Sequence, residues 1–152
     1  FFFKQKTAYE ISTRDWSSDV CSSDLVCSFV GTVRERNSGN AISSMELEHY
    51  PGMTEKSITS MMEEAAKRFD IYGARVIHRI GLLHPQDQIV LVAVTSAHRG
   101  TSFQACEFLM DYLKTQAPFW KKEVTPDGSR WVDARESDDV ALARWGISAS
   151  NR

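Results

Sequence analysis

Apolar and polar residues recur with two different periods along the chain, and these periods predict an alternation of strands and helices. Alternating or β-rich segments predict five strands, at 26–33, 42–50, 74–81, 119–125 and 129–135. The continuously apolar segment 88–96 predicts a central strand that is covered on both faces. Helices are predicted at 53–69, 100–116 and 137–145.

The order of these elements predicts the fold class. Strands and helices follow one another as β-β-α-β-β-α-β-β-α, which favours a single α+β domain, a sandwich with a mostly antiparallel sheet. We assign this domain to residues 26–146 and expect 147–152 to be a frayed tail. Thr54 is a possible N-cap of the first helix, and Pro118 closes the second.

Residues 1–25 follow neither period. Their two stretches FKQKTAYEI and RDWSSDVCSSDL correspond to in-frame translations of a common short-read sequencing adapter. The residues between the two stretches leave room for an index of about eight bases. The sequence therefore predicts a non-native, disordered leader that replaces the first residues of the domain, and we leave it out of the fold prediction.

Composition and charge exclude several classes of protein. A chain of 152 residues that is 42% hydrophobic and 25% charged is typical of one globular domain. The net charge of −2 provides no overall field for nucleic acid or an anionic membrane. No apolar run is long enough for a membrane-spanning helix.

Motifs for metals and cofactors are missing from the sequence. The cysteines Cys21, Cys27 and Cys106 form no CxxC pair, so we expect neither a disulfide framework nor a zinc site, and a reducing cytosol is the default compartment. The sequence also has no HExxH, glycine-rich phosphate loop or GxSxG pattern. We therefore expect no metal and no cofactor.

The first candidate for chemistry is the segment VTSAHRG at 94–100. A buried strand brings His98 and Arg99 to the start of a helix, where backbone N–H groups attract anions. The same position also suits a helix-capping histidine beside a solvated arginine. Position alone slightly favours that structural interpretation.

The second candidate is the segment KTQAPFWKKE at 114–123. Lys114 falls in the last turn of a helix, where a cation complements the helix dipole. Lys121 and Lys122 must point to opposite faces of a strand, so one of them shares a face with Phe119. A lysine beside apolar rings and a second cation loses its proton more easily and can act as an acid, a base or a nucleophile. Phe119 and Trp120 are expected to be buried, although a hairpin with solvated lysines fits the same residues.

Arg34, at the end of the first predicted strand, is a third candidate, but taken alone it is weak evidence for a functional site. Grouped with the other cations it would complete a strongly cationic pocket suited to a phosphate or a carboxylate. The members of that pocket would be Arg34, His98, Arg99, Lys114 and Lys121.

Six stretches of the chain carry a family resemblance. They are FVGTVRERNSG (29–39), LEHYPGMTEKSI (47–58), VIHRIG (76–81), VTSAHR (94–99), DYLKTQAPFWKKE (111–123) and RWVDARESD (130–138). In this order they resemble the large, catalytic subunit of molybdopterin synthase. The resemblance implies an α/β hammerhead fold and a sulfurtransferase that converts cyclic pyranopterin monophosphate to the dithiolene molybdopterin.

The same resemblance implies partners and site residues. Sulfur would arrive as a thiocarboxylate on the Gly-Gly C-terminus of a small ubiquitin-like subunit, with two large subunits forming the centre of a cytoplasmic heterotetramer. The family's essential lysines fall on Lys114 and Lys121. Its substrate and anion contacts, some of them supplied across the dimer interface, fall on Arg34, His98, Arg99, Lys122 and Glu123.

Two alternative functions stay open from the residues alone. The chain could be a non-catalytic, dimeric α+β module that binds an anionic ligand or the C-terminal tail of a partner. It could also be a structural subunit, in which substitution of Lys114 and Lys121 would change only stability. The histidines on predicted strands, His49 and His78, are interpreted as residues at the edge of the core.

Overall fold

The computed structural model describes residues 8–12, 25–37, 40–126, 128–132, 140–141 and 143–147. The strands in these ranges are β1 (Ala8–Ser12), β2 (Leu25–Thr32), β3 (Arg36–Asn37), β4 (Asn40–Ala41), β5 (Ser44–His49), β6 (Gly73–Arg79), β7 (Gly81–Leu83), β8 (Gln88–Ser96), β9 (Phe119–Thr125) and β10 (Gly128–Val132). The helices are α1 (Met53–Arg68) and α2 (Arg99–Thr115).

The first sheet has the strand order β1-β6-β8-β2, and every neighbouring pair in it is antiparallel. β8 lies in the interior of this sheet, and its second half is buried on both faces. The prediction of a covered central strand at 88–96 is confirmed. Continuous apolar sequence was the signal, because a strand that is covered on both sides has no reason to alternate.

Both helices pack against one face of the first sheet. Ile58, Met61 and Met62 of α1 and Phe108 and Leu109 of α2 are fully or almost fully buried in one cluster with the inward-facing residues of β6 and β8. These positions recur at helical spacing, so each helix presents one apolar stripe to the sheet. This cluster is the main hydrophobic core.

The second sheet has the order β10-β9-β5-β7 and is also antiparallel. A smaller core lies on its inner face, formed by Val33, Met45, Leu47 and Leu83. The ribbon of β3 and β4 continues from β2 towards this sheet. The Ser43 N–H donates to the Val124 carbonyl at 2.8 Å and so joins the end of the ribbon to β9.

The predicted α+β fold with antiparallel sheets is confirmed, while several local predictions need correction. The short strands β3, β4 and β7 fall in segments that looked like loops or strand ends, since strands this short carry too few residues to establish a period. Gly52, not Thr54, is the N-cap of α1. The Thr54 hydroxyl accepts a hydrogen bond from the Tyr50 N–H and donates one to the Pro118 carbonyl.

Part of the predicted leader lies in the fold. Ala8–Ser12 forms β1 and pairs along β6 from Arg79 to Arg75. The expectation that all of 1–25 is disordered is therefore wrong for these residues. An open sheet edge pairs with any extended segment that supplies backbone hydrogen bonds, so composition did not exclude a strand here. The adapter origin of the segment stays a prediction.

The C-terminal predictions are only partly covered by the described residues. Residues 133–139, 142 and 148–152 lie outside them, and these include the end of the predicted strand 129–135 and part of the predicted helix 137–145. Residues 140–141 and 143 are helical. Ile147, predicted to begin a frayed tail, packs against the main core. Among the described residues, no helix is both long and apolar enough to cross a membrane.

Candidate active site

A cleft of about 470 Å³ lies where the inner faces of the two sheets meet the C-terminal end of α2. Four of the seven predicted site residues line it: Arg34, Lys114, Lys121 and Glu123. Apolar side chains, among them Phe29, Met110 and Leu113, form much of the remaining wall. The structure therefore joins three of the six predicted cationic residues in one partly apolar pocket.

A glycine helps to keep this cleft open. Gly31 of β2 lies opposite Val90 of β8, which in turn lies opposite His78 of β6. A Cβ atom on Gly31 would come within 2.9 Å of Val90 Cγ1, closer than carbon atoms pack. All three residues line the cleft, so the absence of a side chain at position 31 leaves space on its floor.

Lys114 and Lys121 reach the cleft from different elements. Lys114 belongs to the last turn of α2, which ends at the capping residue Gln116. Pro118 precedes β9, whose third residue is Lys121. The helix stop at this proline turns the chain so that both lysines line one pocket.

β9 separates its two neighbouring lysines. Lys121 lies on the same face as Phe119 and Glu123, which also line the cleft. Lys122 lies on the opposite face, with its ammonium 5.6 Å from the centre of the Trp131 ring. The alternation predicted from the sequence is confirmed, but Lys122 is not part of the cleft.

The aromatic pair before these lysines is also divided between the faces. Phe119 is half-buried, whereas Trp120 is 48% exposed on the outer face. The prediction that both rings are buried is wrong for Trp120. A strand turns successive side chains to opposite faces, and only one face of β9 is covered.

Phe119 packs against a histidine of the other sheet. The ring of His78 stacks on that of Phe119 with centroids 3.9 Å apart and planes inclined by 15°. Because a carbonyl oxygen only accepts, the 2.8 Å contact with the Arg79 carbonyl assigns the proton to His78 Nδ1. Burial lowers the pKa of His78 to about 4, with smaller contributions from the charges of Lys121 and His49. His78 is therefore neutral at physiological pH.

Glu123 carries a buried negative charge at the side of the cleft. It is only 3% exposed. Its Oε1 accepts a hydrogen bond from Asn37 Nδ2 at 2.8 Å, and its Oε2 accepts from Arg130 Nη2 at 3.2 Å. These charge-assisted bonds compensate the carboxylate for its lost water.

Arg34 lies in the connection between β2 and β3 and is exposed. Backbone hydrogen bonds of the buried residue before it fix the position of its backbone. The Val33 N–H donates to the Asp87 carbonyl, and the Val33 carbonyl accepts from the Gln86 N–H, each at 2.9 Å. The guanidinium-bearing side chain thus extends from a well-anchored segment into the cleft.

His98 and Arg99 lie far from this cleft within one chain. His98 is the N-cap of α2 and Arg99 its first residue, whereas Lys114 is in the last turn. A helix rises about 1.5 Å per residue, so about 22 Å of helix separates Arg99 from Lys114. The predicted single pocket of five cations is therefore not formed within one protomer. No group of three or more metal-ligating side chains occurs among the described residues.

Sequence reasoning missed three polar residues of this region. His78 was interpreted as a core-edge residue, and Asn37 and Arg130 were not singled out. The inward position of His78 was available from the alternation of β6, with Ala74 and Val76 on the same face. The contacts of Asn37 and Arg130 with Glu123 depend on strand packing and left no local signal.

Comparison with known proteins identifies the family. The family model described as MoaE protein matches residues 7–116. The chain belongs to the MoaE protein family. The resemblance seen in the sequence is thus confirmed, and the matched span runs from β1 through Lys114 and ends before Lys121.

Individual relatives agree with this membership. The molybdopterin synthase catalytic subunit of Ralstonia nicotianae is 63% identical over 126 residues, covering 83% of this chain and 72% of that protein. The solved molybdopterin biosynthesis MoaE protein from Burkholderia ambifaria has a TM-score of 0.71 at 51% identity, with 89% of this chain and 93% of that chain covered. A complex of subunits 1 and 2 of molybdopterin-converting factor from Helicobacter pylori has a TM-score of 0.65 at 17% identity, covering 79% and 80%, and shows the likeness of fold alone.

Proposed function

We propose that the chain is the catalytic subunit of a molybdopterin synthase and acts in molybdenum cofactor biosynthesis. Its reaction is the transfer of sulfur to cyclic pyranopterin monophosphate, which forms the dithiolene of molybdopterin. The observation that carries this proposal is the convergence of Lys114 and Lys121, from a helix and a strand, on one cleft of a MoaE-family chain.

Arg34 and the two lysines provide the charge that such a substrate needs. Guanidinium and ammonium groups bind a phosphate through charge-assisted hydrogen bonds. The apolar part of the wall lowers the local dielectric constant and strengthens these interactions. The substrate phosphate and the negative charge that develops during sulfur attack would both be stabilised by this group of cations.

Lys121 is the better candidate for the central chemical role. Its neighbours on the cleft face of β9 are the stacked Phe119 and the buried Glu123, so its backbone is fixed on both sides. A lysine held this way can move a proton as the acyl link to the sulfur donor forms and breaks, or take the acyl group itself. Lys114, exposed at the end of α2, would assist from the opposite wall.

The sulfur donor in this proposal is a small ubiquitin-like subunit with a C-terminal Gly-Gly thiocarboxylate. The Helicobacter pylori structure, which is similar in fold alone, is described as a complex of subunits 1 and 2 of molybdopterin-converting factor. An extended tail without bulky side chains suits a cleft between two sheets. Cys27 and Cys106 are free thiols away from the lining of this cleft, and a donor-borne sulfur needs no cysteine there. In this proposal the reaction takes place in the cytoplasm.

His98 and Arg99 fit this function only if a second copy of the chain supplies them. Their distance from Lys114 along α2 is too great for one protomer to combine them in one site. A homodimer would bring the start of α2 from one copy to the cleft of the other. Mixing Lys121→Ala with Arg99→Ala chains tests this, because each mixed dimer would regain one intact site.

The proposed activity is tested with the thiocarboxylated small subunit and cyclic pyranopterin monophosphate. The full chain should form the dithiolene product, and the mixture of Lys121→Ala and Arg99→Ala chains should recover about a quarter of that activity through mixed dimers. Product formation at the wild-type level by Lys121→Ala would reject the mechanism. Binding of the small subunit without any turnover would instead support a non-catalytic module.

A further inference from the structure

The buried carboxylate of Glu123 joins two segments of the chain that carry predicted substrate contacts. Asn37 follows Arg34 by three residues, and Glu123 follows Lys121 by two. The hydrogen bond from Asn37 Nδ2 to Glu123 Oε1, at 2.8 Å, therefore links the segment bearing Arg34 to the strand bearing Lys121. We call Asn37, Glu123 and Arg130 the Glu123 clamp.

In the described part of the chain, backbone hydrogen bonds attach only one end of the β3–β4 ribbon to β9. Within the described residues, β3 pairs only with β4, whereas β9 pairs with β5 and β10. The ribbon is attached to β9 by backbone at its open end, beside the segment that bears Arg34, where the Ile42 N–H donates to the Glu35 carbonyl and the Ser43 N–H to the Val124 carbonyl. At the turn end of the ribbon, where Asn37 lies opposite Asn40, the Asn37 side chain makes a second attachment to β9.

Arg130 supports the same carboxylate from the other side. It lies opposite Glu123 in the β9–β10 hairpin, and its Nη2 and Nε approach Oε2 at 3.2 and 3.4 Å. Asn37 occupies one carboxylate oxygen and Arg130 the other. A carboxylate that is 3% exposed is strongly desolvated, so both contacts hold it in one position.

We propose that Asn37 and Arg130 are positioning residues that act through Glu123 to fix Arg34 relative to Lys121. Arg34 itself is exposed; backbone hydrogen bonds anchor Val33 before it, and the clamp holds the turn end of the ribbon that follows it. A displacement of about 1 Å in a positioned group lowers activity by as much as about 100-fold. Glu123 then organises the site in addition to lining the cleft.

The functional half of this inference rests on the proposed sulfur transfer, and its kinetic test uses the full chain with the thiocarboxylated small subunit. Asn37→Ala should lower kcat/KM about tenfold, and Arg130→Ala by a similar factor, because the ribbon that follows Arg34 loses its attachment at the turn end and Arg34 shifts relative to Lys121. Asn40→Ala is the matched control for Asn37. It lies opposite Asn37 in the same ribbon, is exposed, and should change kcat/KM less than about twofold.

A double-mutant cycle separates positioning from general structural damage. If Asn37 acts through Arg34, Asn37→Ala should change kcat/KM less than about twofold in an Arg34→Ala background. An equal, additive loss in both backgrounds would overturn the proposal, as would wild-type activity in Asn37→Ala. If Asn37→Ala is too unstable to assay, Asn37→Asp serves in its place. This variant preserves the side-chain volume but brings a second carboxylate next to that of Glu123, and the two negative charges repel each other. It should then lose more activity than Asn40→Asp, and equal losses would count against the clamp.

Hydrogen exchange tests the structural half without any turnover. Amide exchange in residues 33–37 should rise about tenfold in Asn37→Ala and stay unchanged in Asn40→Ala, with the main core protected in both. Unchanged exchange at 33–37 would overturn the clamp. If the wild-type chain transfers no sulfur, the proposed function fails, and the exchange measurement alone decides whether the clamp exists.

Discussion

The two faces of β9 show how one short strand divides its residues between different tasks. The inner face carries Phe119, Lys121 and Glu123, which line the cleft and contact other parts of the fold. The outer face carries Trp120 and Lys122. Both faces hold one aromatic ring and one lysine, so residue type does not distinguish them.

Surroundings make the difference between these faces. On the inner face an aromatic stack and a buried carboxylate hold the lysine's strand from both sides. On the outer face Lys122 lies over Trp131, a ring that is 52% exposed, and solvent remains close. Both lysines are half-buried, so a cation becomes a candidate catalytic group where it lines a cleft beside fixed neighbours, and it remains a surface charge elsewhere.

The largest expected difference is between the two lysines themselves. Lys121→Ala should lower kcat for dithiolene formation at least about 100-fold, since a general acid, base or nucleophile is lost. Lys122→Ala should change kcat less than about threefold, because it removes a partly solvated charge. Steady-state kinetics with the thiocarboxylated small subunit measures both. Equal losses would mean that the face of β9 does not decide function.

The aromatic residues should show the same contrast in stability. Phe119→Ala should lower the free energy of unfolding by about 3 kcal/mol, because the stack on His78 and its packing are lost. Trp120→Ala should cost less than about 1 kcal/mol, since that ring is half exposed. Urea denaturation of the two variants gives the comparison. A larger loss for Trp120→Ala would show that the outer face is covered in solution.

Acid should lower the free energy of unfolding through His78, whose ring stacks on the inner face of β9. In the unfolded chain this histidine binds a proton below its ordinary pKa of about 6.5, whereas the folded chain resists until about pH 4. The contribution of His78 to the free energy of unfolding is thus constant above about pH 6.5 and falls by up to about 3 kcal/mol towards pH 4.

His78→Phe preserves an aromatic ring for the stack and should remove this part of the acid dependence. Thermal or urea unfolding across pH 4 to 7.5 measures the slope. His84→Phe, at an exposed turn position, serves as the control and should leave the slope as in the wild type. The idea would be contradicted by identical slopes for wild type and His78→Phe.

The smallest effect is expected for the ring beneath Lys122. Trp131→Ala removes a cation–π contact at an exposed site, which contributes about 0.5 kcal/mol. Sulfur transfer should remain within about twofold of wild type, because the outer face takes no part in the proposed chemistry. A loss of activity without a loss of stability would assign the outer face a role in binding the small subunit.

Local sequence predicted much of this arrangement. Alternation alone assigned Lys121 and Lys122 to opposite faces, and the proline after α2 predicted the turn that brings Lys114 and β9 together. The apolar run at 88–96 predicted the interior strand of the first sheet. These features depend on neighbouring residues, so a single sequence is enough to reveal them.

Other features depend on which distant segments pack together. The sequence could group His98 and Arg99 with Lys114 only by charge, and the length of α2 separates them within one chain. Trp120 looked like an anchor because large rings prefer burial, but only one face of β9 is covered. β1 was missed because edge pairing depends on a free partner strand more than on composition.

By itself the sequence determined the periods, the α+β class, the family and the two lysines that could act. Only the tertiary structure decided that His78 supports Phe119, and that Asn37 and Arg130 hold a buried Glu123 beside Lys121. Periodicity is set by residues a few positions apart. The burial of a charge and its compensation by hydrogen bonds are set by segments that meet only when the chain has folded.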